Sequence, residues 1–207
     1  METLVYVLLV LTSLVSLAFI IERGVALRWR KVVPPEVEAA AESCQSREDL
    51  PMLRRVCEQH ESPLSRLLLL AMDHLHMPKE DATAALETRA RHEVVQLERG
   101  LVVLEVAVGV APLLGLVGTI VGMISLFANI GQAGLGDAAR LAQGIALILN
   151  ATLLGLLIAI PSLVAWSYFN RKVETLAVEM EAICDEFLRR QYRAPVVVEG
   201  EPAGLRR

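Results

Sequence analysis

The chain has 207 residues, of which 54% are hydrophobic, 4% aromatic and 21% charged, and its net charge is −4. This composition is more aliphatic than that of an ordinary soluble domain, and the acidic balance argues against a nucleic-acid binder, which would carry a basic patch or stripe. The three cysteines, Cys44, Cys57 and Cys184, do not form an even framework and fall in polar, helix-like segments. They indicate reduced thiols in a cytosolic compartment.

The apolar residues are concentrated in three runs that are long enough to cross a bilayer as helices. A first span is predicted at 1–22, where the uncharged run Leu4–Ile21 has close to the roughly 20 residues that a helix needs. A second span at 101–130 and a third at 141–169 exceed the roughly 30 Å hydrocarbon core, so they must tilt or project beyond the lipid. The short linker 131–140 joins them, which predicts a transmembrane hairpin.

A cleaved signal peptide is the alternative interpretation of the first run. Against it, the chain starts with Met1 and Glu2 and has no basic segment before the run. The run also ends in the sequence FIIER, which has no small-residue cleavage pattern. We therefore expect the first run to be a membrane-spanning helix.

Most basic residues near the three runs lie on one side of them and predict the orientation of the chain, while the linker carries only Arg140 beside Asp137. Those on the one side are Arg23, Arg28, Arg30 and Lys31 after the first run, Arg89, Arg91 and Arg99 before the second, and Arg171 and Lys172 after the third. By the positive-inside rule, the N-terminus and the linker 131–140 face the periplasm. The segments 23–100 and 170–207 are then cytoplasmic.

The segment 23–100 is predicted to be a small helical region. The clearest helix start is at Ser62 and Pro63, because serine caps helices and proline suits the first helical position. Another helix opens after Pro78. It shows no breaker before Leu101, so it is expected to run straight into the second span.

After the third span, apolar residues recur at three- and four-residue spacing from Val173 to Phe187, which predicts a helix with one apolar stripe. The tail from Ala194 onward is expected to be disordered. No segment shows a convincing strand pattern. The predicted fold is therefore an all-α membrane protein with three transmembrane helices and a helical cytoplasmic region, in which the second and third helices are long and extend into the cytoplasm.

Small residues line one face of each long run. They are Gly115, Gly118 and Gly122 in the second run and Ala151, Gly155 and Ala159 in the third. Small residues let helices approach closely in lipid, where generic helix packing is the plain interpretation of such motifs. Pro112 and Pro161 remove backbone hydrogen bonds and are expected to bend the two helices.

Polar side chains lie deep in the same two runs. Thr119, Asn150 and Thr152 sit at depths where polar groups are satisfied within a bundle or line a wet pathway. A threonine can also satisfy itself on its own helix backbone, so one alone proves little. Two threonines on adjacent spans, each beside small residues, favour a shared polar surface.

The two long runs carry these residues in a specific order and spacing. They read GVAPLLGLVGTIVGMISLF at 109–127 and QGIALILNATLLGLLIAIPSLVAW at 143–166. This pair resembles the transmembrane signature of the ExbB/TolQ/MotA family of proton-channel subunits. The layout of three spans, with a cytoplasmic region between the first two, resembles ExbB and TolQ and differs from the four-span MotA.

The resemblance implies a multi-pass protein of the bacterial inner membrane. It implies a homopentamer whose second and third spans line a pore that holds two single-span partner helices of the ExbD/TolR type, one with a critical aspartate. A TonB/TolA-like protein is a further expected partner. Thr119 and Thr152 fall on the family's two pore threonines. Proton flow past them would rotate the pentamer around the partner helices, with no cofactor and no enzymatic activity.

One position departs from the family pattern. ExbB and TolQ carry a glutamate five residues before the second pore threonine, where this chain has Leu147, and Asn150 occupies a site that is usually apolar. Asn150 and Glu105 complete the predicted pore-lining set. Glu105 is interpreted as lining the cytoplasmic mouth or, alternatively, as an interfacial glutamate paired with a neighbouring subunit.

The alternative functional classes are a non-conducting membrane scaffold and a small-solute transporter. A non-conducting membrane scaffold of the same fold is favoured by the missing glutamate, whereas the few spans and the lack of an internal repeat argue against a solute transporter.

The spacing of Cys57 with His60 and of His74 with His76 superficially resembles metal ligation. Helix positions two apart point away from each other, so we expect no metal site.

Overall fold

The computed structural model describes residues 2–133 and 138–193, and these form helices and short turns without a strand. The predicted all-α class is therefore confirmed. The chain falls into two compact units. We call residues 2–28, 96–133 and 138–174 the membrane unit, and residues 29–95 and 175–193 the polar unit.

The membrane unit is built from three long helices. They are α1 (Glu2–Ala26), α7 (Leu101–Ala133) and the first part of α8 (Ala138–Arg193). Each contains a segment long and apolar enough to cross a membrane, which confirms the three predicted spans. The predicted linker is shorter than expected, because α7 and α8 extend into it, and residues 134–137 lie outside the described residues.

The outward faces of these helices are apolar. Leu14 of α1, Leu113 of α7 and Val164 of α8 are each at least 60% exposed in the single chain. Such a continuous apolar surface would be unfavourable in water but matches a hydrocarbon environment, where helices satisfy their own backbone groups. The protein is therefore a multi-pass membrane protein.

The expectation of one continuous helix across α6 (Lys79–Glu98) and α7 is wrong, because a break separates the two helices. Helix α6 stops two residues before Gly100, whose φ of 100° is left-handed, and α7 starts at Leu101. Glycine adopts this conformation without a Cβ clash and commonly ends helices in this way. A guanidinium N–H of Arg23 in α1 also donates to the Leu97 carbonyl at 3.2 Å, which satisfies one of the last carbonyls of α6.

We expect Gly100→Ala to destabilise the membrane unit by about 1–2 kcal/mol, the cost of a side chain in the left-handed region. A Cβ there would also lie 3.1 Å from Arg23 Nε, so the guanidinium must shift. Gly109→Ala is the matched control, because a Cβ at Gly109 meets nothing within 4 Å. Thermal unfolding of the detergent-solubilised protein should show a loss for the first variant alone, and equal midpoints would contradict the assigned role of Gly100.

The polar unit is a cluster of short helices packed on the end of α8. The helices are α2 (Trp29–Val32), α3 (Pro35–Ser43), α4 (Leu50–Gln59), α5 (Pro63–Asp73) and most of α6, with a 3₁₀ turn at Arg47–Asp49. The predicted cap of α5 is confirmed, since the Ser62 hydroxyl accepts the Ser65 N–H at 3.1 Å and Pro63 is the first helical residue.

The core of the polar unit is formed by one stripe of α8 and by residues of α3 to α6. Leu176, Met180 and Phe187 are each at most 1% exposed, which confirms the predicted apolar stripe. All three cysteines are buried and free. Burial raises the pKa of the Cys57 thiol to about 11, so it stays protonated at neutral pH. The predicted disorder from Ala194 onward lies outside the described residues.

A buried carboxylate ties α6 to α5. The side chain of Glu93 is 0% exposed and accepts hydrogen bonds from Nε and Nη2 of Arg66, at 3.0 and 2.5 Å. Arg89 Nη2 lies 2.9 Å from Glu93 Oε1. Burial alone would raise the pKa of Glu93, but the hydrogen bond from Arg66 and the charges of Arg66 and Arg89 outweigh it and hold that pKa below its ordinary value. Sequence reasoning did not single out this pair.

We expect Glu93→Gln to remove an acid-sensitive part of the stability. A carboxyl group with a lowered folded pKa stabilises the fold above its unfolded pKa of about 4.3 and loses that contribution as the pH falls through the folded pKa. The wild-type unfolding midpoint should therefore fall more steeply below about pH 5 than that of the variant. Near pH 7 the variant should be less stable by about 2–4 kcal/mol, because two arginines lose their counter-ion. Parallel pH profiles would contradict this role.

Candidate functional site

Glycines bring the backbones of α7 and α8 into direct contact. A Cβ on Gly155 would lie 2.6 Å from the Ala111 carbonyl oxygen and 3.2 Å from Gly115 Cα. A Cβ on Gly115 would lie 2.9 Å from the Ala151 carbonyl oxygen. Because these neighbours are backbone atoms, no side-chain rotation can make room. The two spans pack here at the closest distance that only glycine permits.

We call this close packing of α7 on α8 the seam. It continues toward the loop end of the hairpin, where α1 also packs against it. A Cβ on Gly118 would lie 2.7 Å from Ala151 Cβ and 3.3 Å from Val5 Cγ1, and one on Gly122 would lie 2.7 Å from Ile148 Cγ1. The small-residue faces predicted from the sequence therefore meet one another. The first helix packs against this seam rather than lying apart from it.

The two prolines lie inside helices that continue past them. Pro112 is within α7 and Pro161 is within α8, and both helices are assigned without interruption at these positions. Pro112 is half-buried and Pro161 is exposed. Each proline removes one backbone donor from its helix, so a carbonyl one turn earlier lacks its usual partner.

The two threonines make different hydrogen bonds. The Thr152 hydroxyl donates across the seam to the Gly115 carbonyl at 3.3 Å, whereas the Thr119 hydroxyl donates to the Leu116 carbonyl of its own helix at 2.7 Å. Both side chains are half-buried in the single chain. Each hydroxyl oxygen keeps lone pairs that can accept a further proton donor.

Helix geometry places both threonines on the same side of the hairpin. Thr119 directly follows Gly118, Thr152 directly follows Ala151, and Gly118 faces Ala151 across the seam. One residue turns a helix by about 100°, and in two antiparallel helices this turn carries both side chains toward the same flank. We call the flank that carries Thr119 and Thr152 the threonine face.

Glu105 belongs to the threonine face of α7. It precedes Thr119 by fourteen residues, which is close to a whole number of helical turns, and so lies on nearly the same side of α7, about 21 Å away along the axis. Its side chain is exposed. Pro112 lies between them on that side, at seven residues from each.

Asn150 lies elsewhere. It precedes Thr152 by two residues, so the two side chains leave α8 about 200° apart. Asn150 is exposed in the single chain, whereas Thr152 reaches the α7 backbone. The structure therefore brings Thr119, Thr152 and Glu105 to one flank and places Asn150 on another.

A buried pair of serines joins α1 to α8, and the sequence analysis did not single out either residue. The hydroxyl oxygens of Ser16 and Ser162 lie 2.5 Å apart, and each residue is at most 3% exposed. Ser162 donates to the Ile158 carbonyl at 2.8 Å, which leaves Ser16 as the donor to Ser162. The available signal was a serine in the second half of each of two apolar runs, Ser16 in the first and Ser162 in the third.

The histidines near the end of α5 do not build a metal centre. His74 Nδ1 lies 2.9 Å from the Leu70 carbonyl oxygen of its own helix. Within residues 2–133 and 138–193, no group of three or more histidine, cysteine or acidic side chains is arranged to hold a metal ion.

Comparisons with known proteins point to a proton-channel family. Residues 59–182 match the model of the MotA/TolQ/ExbB proton channel family. The chain is 31% identical to a putative biopolymer transport protein, ExbB-like 1, of Synechocystis sp., over 76% of this chain and 63% of that protein. It is 31% identical to the Tol-Pal system protein TolQ of Pseudomonas aeruginosa, over 89% of this chain and 84% of that protein.

Coverage differs among the relatives. A putative biopolymer transport protein, an ExbB homolog of Methanothermobacter thermautotrophicus, is 30% identical over 74% of this chain and 54% of that protein. The chain therefore spans only between half and two thirds of the length of several relatives that it matches. The biopolymer transport protein ExbB of Neisseria meningitidis is 26% identical over 88% of both chains. On the family match and the relationship to TolQ, the chain belongs to the MotA/TolQ/ExbB proton channel family.

Proposed function

We propose that this chain is the channel-forming subunit of a membrane complex that converts the proton-motive force into mechanical work. Its working partner would be a single-span protein of the ExbD/TolR type, with a TonB/TolA-like protein downstream. Family membership supports the energy-transducing class. The observation that carries the proposal is the placement of Thr119 and Thr152 on one flank of a tightly packed hairpin.

The threonine face is suited to a proton-carrying carboxyl group on a partner helix. Each hydroxyl can accept a hydrogen bond from a protonated carboxyl group, and its own donor is already used within the chain. In a homopentamer, five such faces would surround the partner helices. One proton crossing the membrane supplies about 2.3 kcal/mol per 100 mV, enough to bias the packing of helices without breaking a core.

Glu105 would line the cytoplasmic mouth of this pathway. It shares the threonine face of α7, is exposed, and lies about 21 Å from Thr119 toward the start of the helix. A carboxylate there can collect or release protons at the entrance. The alternative is a structural ion pair with a basic residue of a neighbouring copy.

The proposed topology follows from the charges that flank the spans. Basic residues follow α1, precede α7 and follow the apolar part of α8, so these ends face the cytoplasm and the N-terminus faces the periplasm of a bacterial inner membrane. The polar unit would then be cytoplasmic, in agreement with three buried cysteines that remain free thiols.

A non-conducting scaffold of the same fold is the second candidate. It is favoured by Leu147, which stands where ExbB and TolQ carry a glutamate. The two candidates predict the same assembly but differ in proton flux once the partner is bound.

Native mass spectrometry of the tagged protein, purified gently from its own host, tests the proposed assembly. We expect a pentamer of the 22.6 kDa chain that carries a small single-span protein, and sequencing that protein would identify the partner. A monomer or dimer without such a companion would contradict the proposal.

A further inference from the structure

Helices α1 and α8 lie side by side in the membrane unit and run in the same direction. The Ser16 and Ser162 hydroxyls meet between them, and a Cβ on Gly24 would lie 3.9 Å from Phe169 Cζ. From the first of these contacts to the second, α1 advances by eight residues and α8 by seven. Residues that follow Gly24 and Phe169 therefore lie at matching depths along the two helices.

This geometry brings two cations to the same depth and the same flank. Arg28 lies four residues beyond the second contact and Lys172 three residues beyond it, so their depths differ by only about 2 Å. Leu27 and Val173 are buried and continue the packed faces of α1 and α8. Arg28 follows Leu27, whereas Lys172 precedes Val173. In two parallel helices that face each other, a step forward in one and a step backward in the other turn both side chains to the same flank.

Neither cation forms an ion pair within residues 2–133 and 138–193. Arg171, next to Lys172, is engaged by Glu174 at 3.2 Å, but no carboxylate lies within ion-pair distance of Arg28 or Lys172. Lys172 Nζ lies 5.7 Å from the centre of the Tyr168 ring, a cation–π contact that leaves its N–H groups able to donate. Two cations on one flank repel each other, so an anion held between them would stabilise both.

Toward the middle of the spans the same flank is apolar. Ile21 and Leu17 lie seven and eleven residues before Arg28, so they leave α1 on nearly the same side, and both are more than half exposed. Tyr168 lies one turn before Lys172 and is also exposed, and tyrosine prefers the boundary between headgroups and hydrocarbon. We call Leu17, Ile21, Arg28, Tyr168 and Lys172 the lipid flank. It joins two cations to an apolar strip, as a phospholipid joins a charged headgroup to acyl chains.

We propose that the lipid flank binds an anionic phospholipid, with the phosphate between Arg28 and Lys172 and the acyl chains along Leu17 and Ile21. The charge selects the headgroup, since a zwitterionic lipid carries a cationic group that two unpaired cations repel. Basic residues at the membrane surface attract anionic lipids in this way. A free phosphate ion would satisfy the cations but not the apolar strip. The proposal does not depend on the channel function.

Thermal unfolding of the detergent-solubilised protein tests the site by titration with phosphatidylglycerol or with phosphatidylcholine of the same acyl chains. We expect phosphatidylglycerol to raise the unfolding temperature at lower lipid concentration. Arg28→Gln and Lys172→Gln should each weaken its apparent affinity by roughly three- to tenfold, and Lys172→Arg should stay close to wild type. Arg171→Gln is the matched control, because it removes the same charge from a residue that Glu174 already engages.

Three results would overturn the proposal. Equal stabilisation of the wild type by the two lipids would exclude selection of the headgroup. An equal loss of affinity in Arg171→Gln would show a general effect of surface charge. The same stabilisation by inorganic phosphate would indicate a site for a free anion.

Native mass spectrometry provides a second measurement that does not require the glutamine variants to fold. Wild type and Lys172→Arg, each mixed with equal amounts of the two lipids, should retain phosphatidylglycerol in preference to phosphatidylcholine. Retention of both lipids in equal amounts would contradict the assigned site.

Discussion

Replacing Gly155 with leucine is expected to prevent the second and third spans from packing together. A Cβ at this position would lie 2.6 Å from the Ala111 carbonyl oxygen and 3.3 Å from the Ala111 carbonyl carbon, both backbone atoms. The helices must therefore separate, which also breaks the 3.3 Å hydrogen bond from Thr152 to the Gly115 carbonyl. Overpacking that shifts the backbone costs about 1–3 kcal/mol and occasionally more, which is a large part of a protein's total stability.

The matched control for this prediction is Gly109→Leu. Gly109 lies on an exposed side of α7, where a Cβ meets nothing within 4 Å. We expect the Gly155 variant to give little monodisperse protein in mild detergent and rapid proteolysis, and the Gly109 variant to resemble wild type. Equal yields and equal unfolding temperatures for the two variants would show that the seam is not packed as described.

Replacing Thr152 with valine is expected to lower proton-coupled activity at least tenfold while the protein still folds. Valine keeps the shape of threonine but removes the hydroxyl, and one interhelical hydrogen bond contributes only about 0.6 kcal/mol on average. By contrast, losing an interaction that lowers the barrier to proton transfer by about 1.4 kcal/mol slows that transfer about tenfold. Thr152→Ser restores the hydroxyl and should recover most of the activity.

The readout for the Thr152 series is complementation of a host strain that lacks the wild-type copy. Expression and oligomer size are measured alongside, so that a folding defect is recognised. Full complementation by Thr152→Val would rule out a role for this hydroxyl in energy transduction. A variant that fails to complement and also loses its oligomer would show a structural role instead.

The spans and the glycine seam were predictable from the sequence because both depend on local patterns. Uncharged runs of sufficient length predict membrane helices, and four-residue spacing of Gly118 with Gly122 predicts a packing face. The apolar stripe of α8 was predictable for the same reason. In each case the signal lies within one helix.

Features that depend on two distant segments were not predictable. Gly100 follows the end of α6 in a left-handed conformation, and Arg23 of α1 donates to the Leu97 carbonyl near that end, a contact that the local sequence does not show. The buried Glu93 requires Arg66 from another helix, and the Ser16–Ser162 pair joins residues 146 positions apart. The separation of Asn150 from the threonines became evident only once the seam between α7 and α8 fixed the facing residues.

Proton flux through the purified complex, reconstituted with its single-span partner in liposomes, is the measurement that tests the central claim most directly. A pH-sensitive dye inside the liposomes would report flux when a potential is imposed. We expect the wild-type complex to conduct and Thr152→Val to lose that flux while keeping the same oligomer. A wild-type complex that holds its partner but conducts no more than empty liposomes would contradict the proton-channel function and favour the scaffold.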